Sequence, residues 1–216
     1  MATRYAVPAG ARLKVLTVSG NVRVFAEDRS DIEIDPPDRR LETSEDGHVM
    51  ETRTRSTNLT IRVPVGLNVS VGTVSGHVEM TGRFGTIKAS TVSGQLKVGD
   101  TEGDADLRSI SGHIEVGDCR GRCRANTKSG HIIVSHVAHA LKATTMSGSI
   151  EAGISGADDV EIKSISGRIT VRVDPGHQPQ ARLRSLSGKV RCECVQGGDF
   201  SLSASTISGS IEVQER

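Results

Sequence analysis

Apolar and polar residues alternate at period two along short stretches of this chain, and the stretches recur in one frame. The frame reads Ser/Thr, an apolar residue, Ser, Gly, any residue, apolar, any residue, apolar. Its copies begin at Thr17, Thr73, Thr91, Ser109, Thr127, Thr145, Ser164, Ser185 and Thr206. From Ser75 to Ser147 the motif serines are spaced by 18 residues four times running, then by 19, 21 and 21. A fixed period of this size predicts a solenoid, in which each repeat is one supersecondary unit stacked on the next.

Counted from each motif serine, apolar residues fall at five offsets. Six before it stand residues such as Leu13, Val69, Ile87 and Leu141, and four before it Val15, Val71, Leu107 and Ile162. Immediately before it come Val18, Val74, Val92, Ile110, Met146, Ile165, Leu186 and Ile207, with Lys128 the exception. Three and five after it come pairs such as Leu96/Val98, Ile114/Val116 and Ile211/Val213. Alternation on both sides of Ser-Gly predicts two short strands per coil, each with one face inward. All five offsets are read as inward ladders. Glycine permits the bend, and the flanking hydroxyls are expected to satisfy backbone groups there.

Stretches such as Gly99–Gly103, Gly117–Gly121, 175–179 and 196–199 read as turns between coils. The two 21-residue repeats read as a longer second strand, through Ile169/Val171/Val173 and Val190/Cys192/Cys194. The expected fold is all-β: one single-domain parallel β-solenoid, right-handed, of about ten coils of 18–21 residues. A left-handed hexapeptide helix would need an apolar residue every six positions, and these offsets do not repeat at six. Residues 59–216 carry the regular repeats. Residues 1–58 read as irregular N-terminal coils with a charged excursion at 35–58, part of it strand at Val49–Thr54.

Composition narrows this picture. With no Trp, one Tyr and three Phe, the lumen is expected to be narrow and lined by small aliphatic side chains. A net charge of +1 sets up no strong global field toward nucleic acid or anionic membrane. Residues 1–8 lack the apolar core of a signal peptide, and no apolar run is long enough to span a bilayer. The expectation is a cytoplasmic protein without membrane insertion. Cys119, Cys123, Cys192 and Cys194 are too few and scattered for a disulfide framework, and most fall on inward columns as small hydrophobes.

The block Leu59–Gly76 (LTIRVPVGLNVSVGTVSG), followed by serial Ser/Thr-φ-Ser-Gly-x-Ile-x-Val units, resembles a bacterial β-strand-repeat family of candidate adhesins and domains of unknown function. The resemblance covers nearly the whole chain. It implies a β-solenoid of the general kind seen in bactofilin filaments, and it brings no catalytic residues.

The candidate chemistry is sparse. Outward acids Glu79, Glu115 and Glu151 sit one per coil, with Lys97 between two of them, as solvated cross-strand pairs do. Nine serines in one corner position suit a structural role, since nucleophilic catalysis uses one. His77, His113 and His131 share an outward column, but their spacing supplies no ligand set. Lys88, Arg108, Arg124, Lys142, Lys163, Arg182 and Arg184 tilt one face basic, interrupted by Asp106 and Glu161 and without aromatics for stacking on bases. The expectation is no enzyme, no cofactor, no metal and no small-molecule substrate, with a nucleic-acid-binding solenoid and a polysaccharide-active β-helix enzyme as the lesser alternatives.

What remains is a structural or interaction scaffold, acting by self-association as a homo-oligomer or filament or through an unidentified protein partner. The alternative is a monomeric module presenting its side faces to an envelope or regulatory partner. Two candidate contacts stand out. One is a lateral patch of Lys128, His131, Ile133 and Val137, where the repeat is broken by a lysine at the bend and an isoleucine in the charged column. The other is an end-to-end contact through Ile211 and Val213 in the last repeat.

Overall fold

Short runs of β-branched and small aliphatic residues, broken by glycine, form strands throughout the computed structural model, which describes residues 3–8, 10–36, 41–44 and 48–216. Strand β1 (Thr3–Ala6) precedes a first coil of β2 (Arg12–Thr17) and β3 (Val22–Glu27). Strands β4 (Asp31–Asp35) and β5 (Glu42–Thr43) lead to a coil of β6 (Val49–Thr54) and β7 (Leu59–Pro64). Next come β8 (Asn68–Gly72) with β9 (Val78–Phe84), β10 (Ile87–Ser93) with β11 (Leu96–Thr101), and β12 (Ala105–Ser111) with β13 (Ile114–Cys119). They are followed by β14 (Arg122–Ser129) with β15 (Ile132–Val137), β16 (Ala140–Ser147) with β17 (Ile150–Ile154), and β18 (Asp159–Ser166) with β19 (Ile169–Val173). The last two coils are β20 (Pro179–Ser187) with β21 (Val190–Glu193), and β22 (Phe200–Ser208) with β23 (Ile211–Glu215). No helix among the described residues is long and apolar enough to cross a membrane.

The ten coils build a β-solenoid of two mostly parallel sheets. From β8 to β19 the coils stack in chain order, with like columns in register: Ile87 on Ala105, Leu96 on Ile114, Ile132 on Ile150. Inward ladders six and four before the motif serine, and three and five after it, are buried along this run. The strand expected at Val49–Thr54 is β6, which pairs in parallel with β2. Much of the rest of the charged excursion, 37–40 and 45–47, lies outside the described residues.

The fifth expected column does not point inward. Period two continues from six and four before the serine to two before it, so Thr17, Thr73, Thr91, Thr127 and their equivalents other than the half-buried Ser185 are buried there. The apolar residue next to the serine therefore faces outward. A different fifth ladder exists further along the second strand: Phe84, Thr101, Cys119, Val137, Ile154 and Val173 pair rung on rung. In β11, β13 and β15 two residues separate the inward positions (Val98/Thr101, Val116/Cys119, Val134/Val137), with register irregularities against β9 and β17 after Val98 and Val134, so alternation alone does not find the ladder there. The stretches 99–103 and 117–121 thus begin as strand, with Thr101 and Cys119 inside.

At both ends of the stack, spatial order departs from chain order. The first coil lies between the β6/β7 coil and the β8/β9 coil. The last coil, β22/β23, is inserted between β18/β19 and β20/β21. The two ends are finished differently. At one, β4 runs antiparallel on β7, β1 antiparallel on β4, and β5 antiparallel on β6. Arg29 ties this cap together, 2.9 Å from both Asp31 and Glu33, while Arg62 reaches Glu33 at 3.1 Å. Hydrogen bonding to Arg29 holds both carboxyls below the usual carboxylate range. At the other end, β20 and β21 are the outermost strands of their sheets.

Candidate interaction surfaces

The outward column four residues after the motif serine is a charge ladder. In sheet order it reads Arg23, Glu79, Lys97, Glu115, Ile133, Glu151 and Thr170. Arg23 pairs with Glu79 at 3.5 Å, Lys97 with Glu115 at 3.2 Å, and Arg172 reaches Glu151 at 3.4 Å. Ile133, 41% exposed, interrupts it. It lies in a shallow depression of about 420 Å³ together with Gln95, His113, Glu115, His131, Ser149 and Glu151.

The neighbouring histidines are held by the stack. His113 and His131 lie face to face, centroids 4.9 Å apart. The backbone N–H of His131 donates to His113 Nδ1, and that of Ser149 to His131 Nδ1, each at 3.2 Å. These bonds place the ring hydrogen of a neutral imidazole on Nε2. His136 Nδ1 is 2.8 Å from Asp118, and His139 pairs with Asp158. No group of three or more metal-ligating side chains converges among the described residues.

Of the expected lateral patch, the structure brings together His131 and Ile133. Lys128 is exposed but stands at the corner, on the far side of the Ser-Gly bend. Val137 is 0% exposed, because the bulge in β15 turns it into the fifth interior ladder. Ile211 and Val213 are also misplaced as an end contact. At 1% and 0% exposure they are sandwiched between β19 and β21.

The end contact that the stack does offer belongs to the β20/β21 coil. Its inward residues Ala181, Leu183, Cys192 and Cys194 are half-buried where their equivalents elsewhere are covered, and Val190 and Leu186 are exposed. The Sγ atoms of Cys192 and Cys194 lie 3.2 Å apart. Burial, then the hydrogen bond with Cys192, pushes the Cys194 thiol up to about 11. The basic tilt of the first sheet is partly neutralised: Arg108 binds Asp106 through two nitrogens, and Lys142 and Lys163 both hold Glu161. Those two bonds keep the Glu161 carboxyl below its usual range.

The sequence carried a signal for the outward column that was read as inward: apolar offsets of six, four and one are out of phase. For the reversed end it carried a fainter one. The last three repeats lengthen to 19, 21 and 21 residues, and five and six residues now separate β19 from β20 and β21 from β22, against two to four between β9 and β18. The extra residues let the chain step over a rung and return.

The family model described as Toastrack DUF4097 matches residues 12–216. No curated protein matches the chain. Among solved structures it is similar to a candidate adhesin from Bacteroides fragilis NCTC 9343, with a TM-score of 0.56 and 11% identity over 99% of this chain and 96% of that one. It also matches a candidate adhesin from Parabacteroides distasonis ATCC 8503, with a TM-score of 0.41, 12% identity and 100% and 96% of the two chains covered. A third match is a candidate cell adhesion protein from Clostridium sporogenes ATCC 15579, with a TM-score of 0.29 and 12% identity over the full length of both. The likeness to the Bacteroides structure is one of fold.

Proposed function

The chain belongs to the Toastrack DUF4097 family, and from that premise we propose that it is a non-enzymatic binding scaffold that associates through the open end of its stack. The observation carrying this reading is the asymmetry of the two ends. One is closed by antiparallel strands and the Arg29 ion cluster. The other presents the outer backbone edge of β20 and the half-buried residues Ala181 and Leu183. An unpaired edge with apolar residues behind it is a template for strand addition. The adhesin description of the Bacteroides neighbour fits a protein that holds a partner rather than one that turns over a substrate.

The asymmetry also sets how far association goes. A unit with one open end and one closed end forms a two-fold pair and stops, because a growing filament needs a complementary surface at each end. Light scattering across a concentration series is expected to show a monomer–dimer equilibrium without longer species. Leu183→Asp with Val190→Asp, both at the open coil, is expected to leave the monomer folded and abolish the dimer. A strict monomer at millimolar concentration, or a dimer indifferent to this double substitution, overturns the reading.

A further inference from the structure

The residues immediately before the motif serines form an exposed apolar ridge at the corner of the stack. In spatial order it runs Leu186, Ile207, Ile165, Met146, Lys128, Ile110, Val92, Val74, Val18. Leu186 is 84% exposed and the other apolar members between 42% and 53%. Nine rungs at the usual strand spacing span roughly 38 Å. Their exposed apolar area is on the order of 600 Å², at the upper end of the largest patch a typical monomer shows.

Charge is sorted around this ridge. The columns beside it are those three before the serine, the serines themselves, and those two after it. Neither the ridge nor these columns contain a single Asp or Glu at any of the nine rungs, although 26 of 216 residues are acidic. They do contain Arg108, Lys128, Lys163, Arg168, Arg184 and Lys189. Four of these, Lys128, Arg168, Arg184 and Lys189, make no ion pair among the described residues. Larger apolar residues gather toward the open end, where Arg168, Arg184 and Lys189 also stand, whereas the far end of the ridge is valine, with Arg53 and Arg55 in the same columns one rung beyond Val18. A near-zero net charge conceals this segregation.

We propose that the ridge docks the solenoid lengthwise onto an anionic lipid bilayer. A corner of repeated aliphatic side chains offers no hydrogen-bonding pattern to read a specific partner, and it complements a soft apolar boundary. Aliphatic residues enter the headgroup boundary while flanking cations meet lipid phosphates, and the two contributions reinforce each other. A second copy is a poor occupant. Lys128 is the middle rung of nine, so two ridges opposed about a two-fold axis would set lysine against lysine.

The test is sedimentation of the full chain with vesicles of equal parts phosphatidylglycerol and phosphatidylcholine, against vesicles of phosphatidylcholine alone. Binding is expected to the anionic vesicles only, and to fall with salt. Arg168→Glu with Lys189→Glu is expected to weaken it at least about tenfold, taking about 1 kcal/mol for each cation at the surface. Met146→Asp with Ile165→Asp is expected to abolish it. All four side chains point outward, so circular dichroism and the oligomeric state are expected to stay those of the parent, which separates this test from that of the open end. No binding to anionic vesicles at low salt, equal binding to both vesicle types, or binding that survives Met146→Asp with Ile165→Asp overturns the proposal. So does tight binding of a DNA duplex unaffected by that same pair, which would give the cations to nucleic acid.

Discussion

At the scale of single residues, the Ser-Gly corner is governed by how closely successive coils approach. Gly130 has φ of 146°, and a Cβ built on it would lie 2.1 Å from the carbonyl oxygen of Gly112 in the coil below. Gly112 is itself held under the same constraint by Gly94, at 1.9 Å, so the backbone cannot yield. Gly130→Ala is expected to cost on the order of 3 kcal/mol, read as a fall in the urea midpoint. The buried hydroxyls beside the glycines are not equivalent. Thr127 Oγ1 donates to the carbonyl of Ser129 at 3.3 Å, whereas Thr91 Oγ1 is buried without a partner among the described residues. Thr127→Val is therefore expected to cost about 1 kcal/mol, and Thr91→Val to be neutral or stabilising. Equal losses from the two would contradict this account.

At the scale of elements, every rung presents nearly the same inward residues, so a coil can lie on any other. Ile211 stacks on Ile169 on one side and Val190 on the other with the same register. The inserted β22/β23 coil is consequently the bridge between β20/β21 and the rest of the stack. Removing residues 199–216 leaves β20 and β21 intact in sequence but deprives them of the parallel neighbours β22 and β23. Amide exchange is expected to show residues 179–194 losing protection in that truncation while β8 to β17 keep theirs. Protection retained at 179–194 would mean that these strands dock on β18 and β19 instead.

At the scale of the whole molecule, the two ends decide what the stack can join. At the capped end antiparallel β4 covers Thr60–Arg62 of β7 and β5 covers Met50 and Glu51 of β6, whereas the open end leaves β20 exposed along nine residues. A dimer formed through the open ends lengthens the particle along the stack axis and leaves its cross-section unchanged. Small-angle scattering is expected to show the maximum dimension nearly doubling on dimerisation. A dimer of unchanged length and greater thickness would point to a side face. The ridge runs along the axis and ends at Leu186, so a pair joined end to end places two ridges on one elongated body.

The repeat by itself determined the local architecture. Period-two alternation around each Ser-Gly dictated two strands per coil, four of the five inward ladders and the coil number; the strand at Val49–Thr54 was legible from its own residues, outside the repeat. Those features follow from short-range sterics and from the need of each amphipathic strand to bury one face. Three things were decided only in the tertiary structure. The bulges after Val98 and Val134 shift the phase of the second strand, so Val137 faces the core although alternation places it outside. The unbroken phase into the corner turns Thr91 inward and Val92 outward, although hydrophobicity suggests the reverse. The exchange of order at both ends rests on which rung each coil selects. A repeat specifies how to stack but not upon which neighbour, and connection length and edge closure settle that choice.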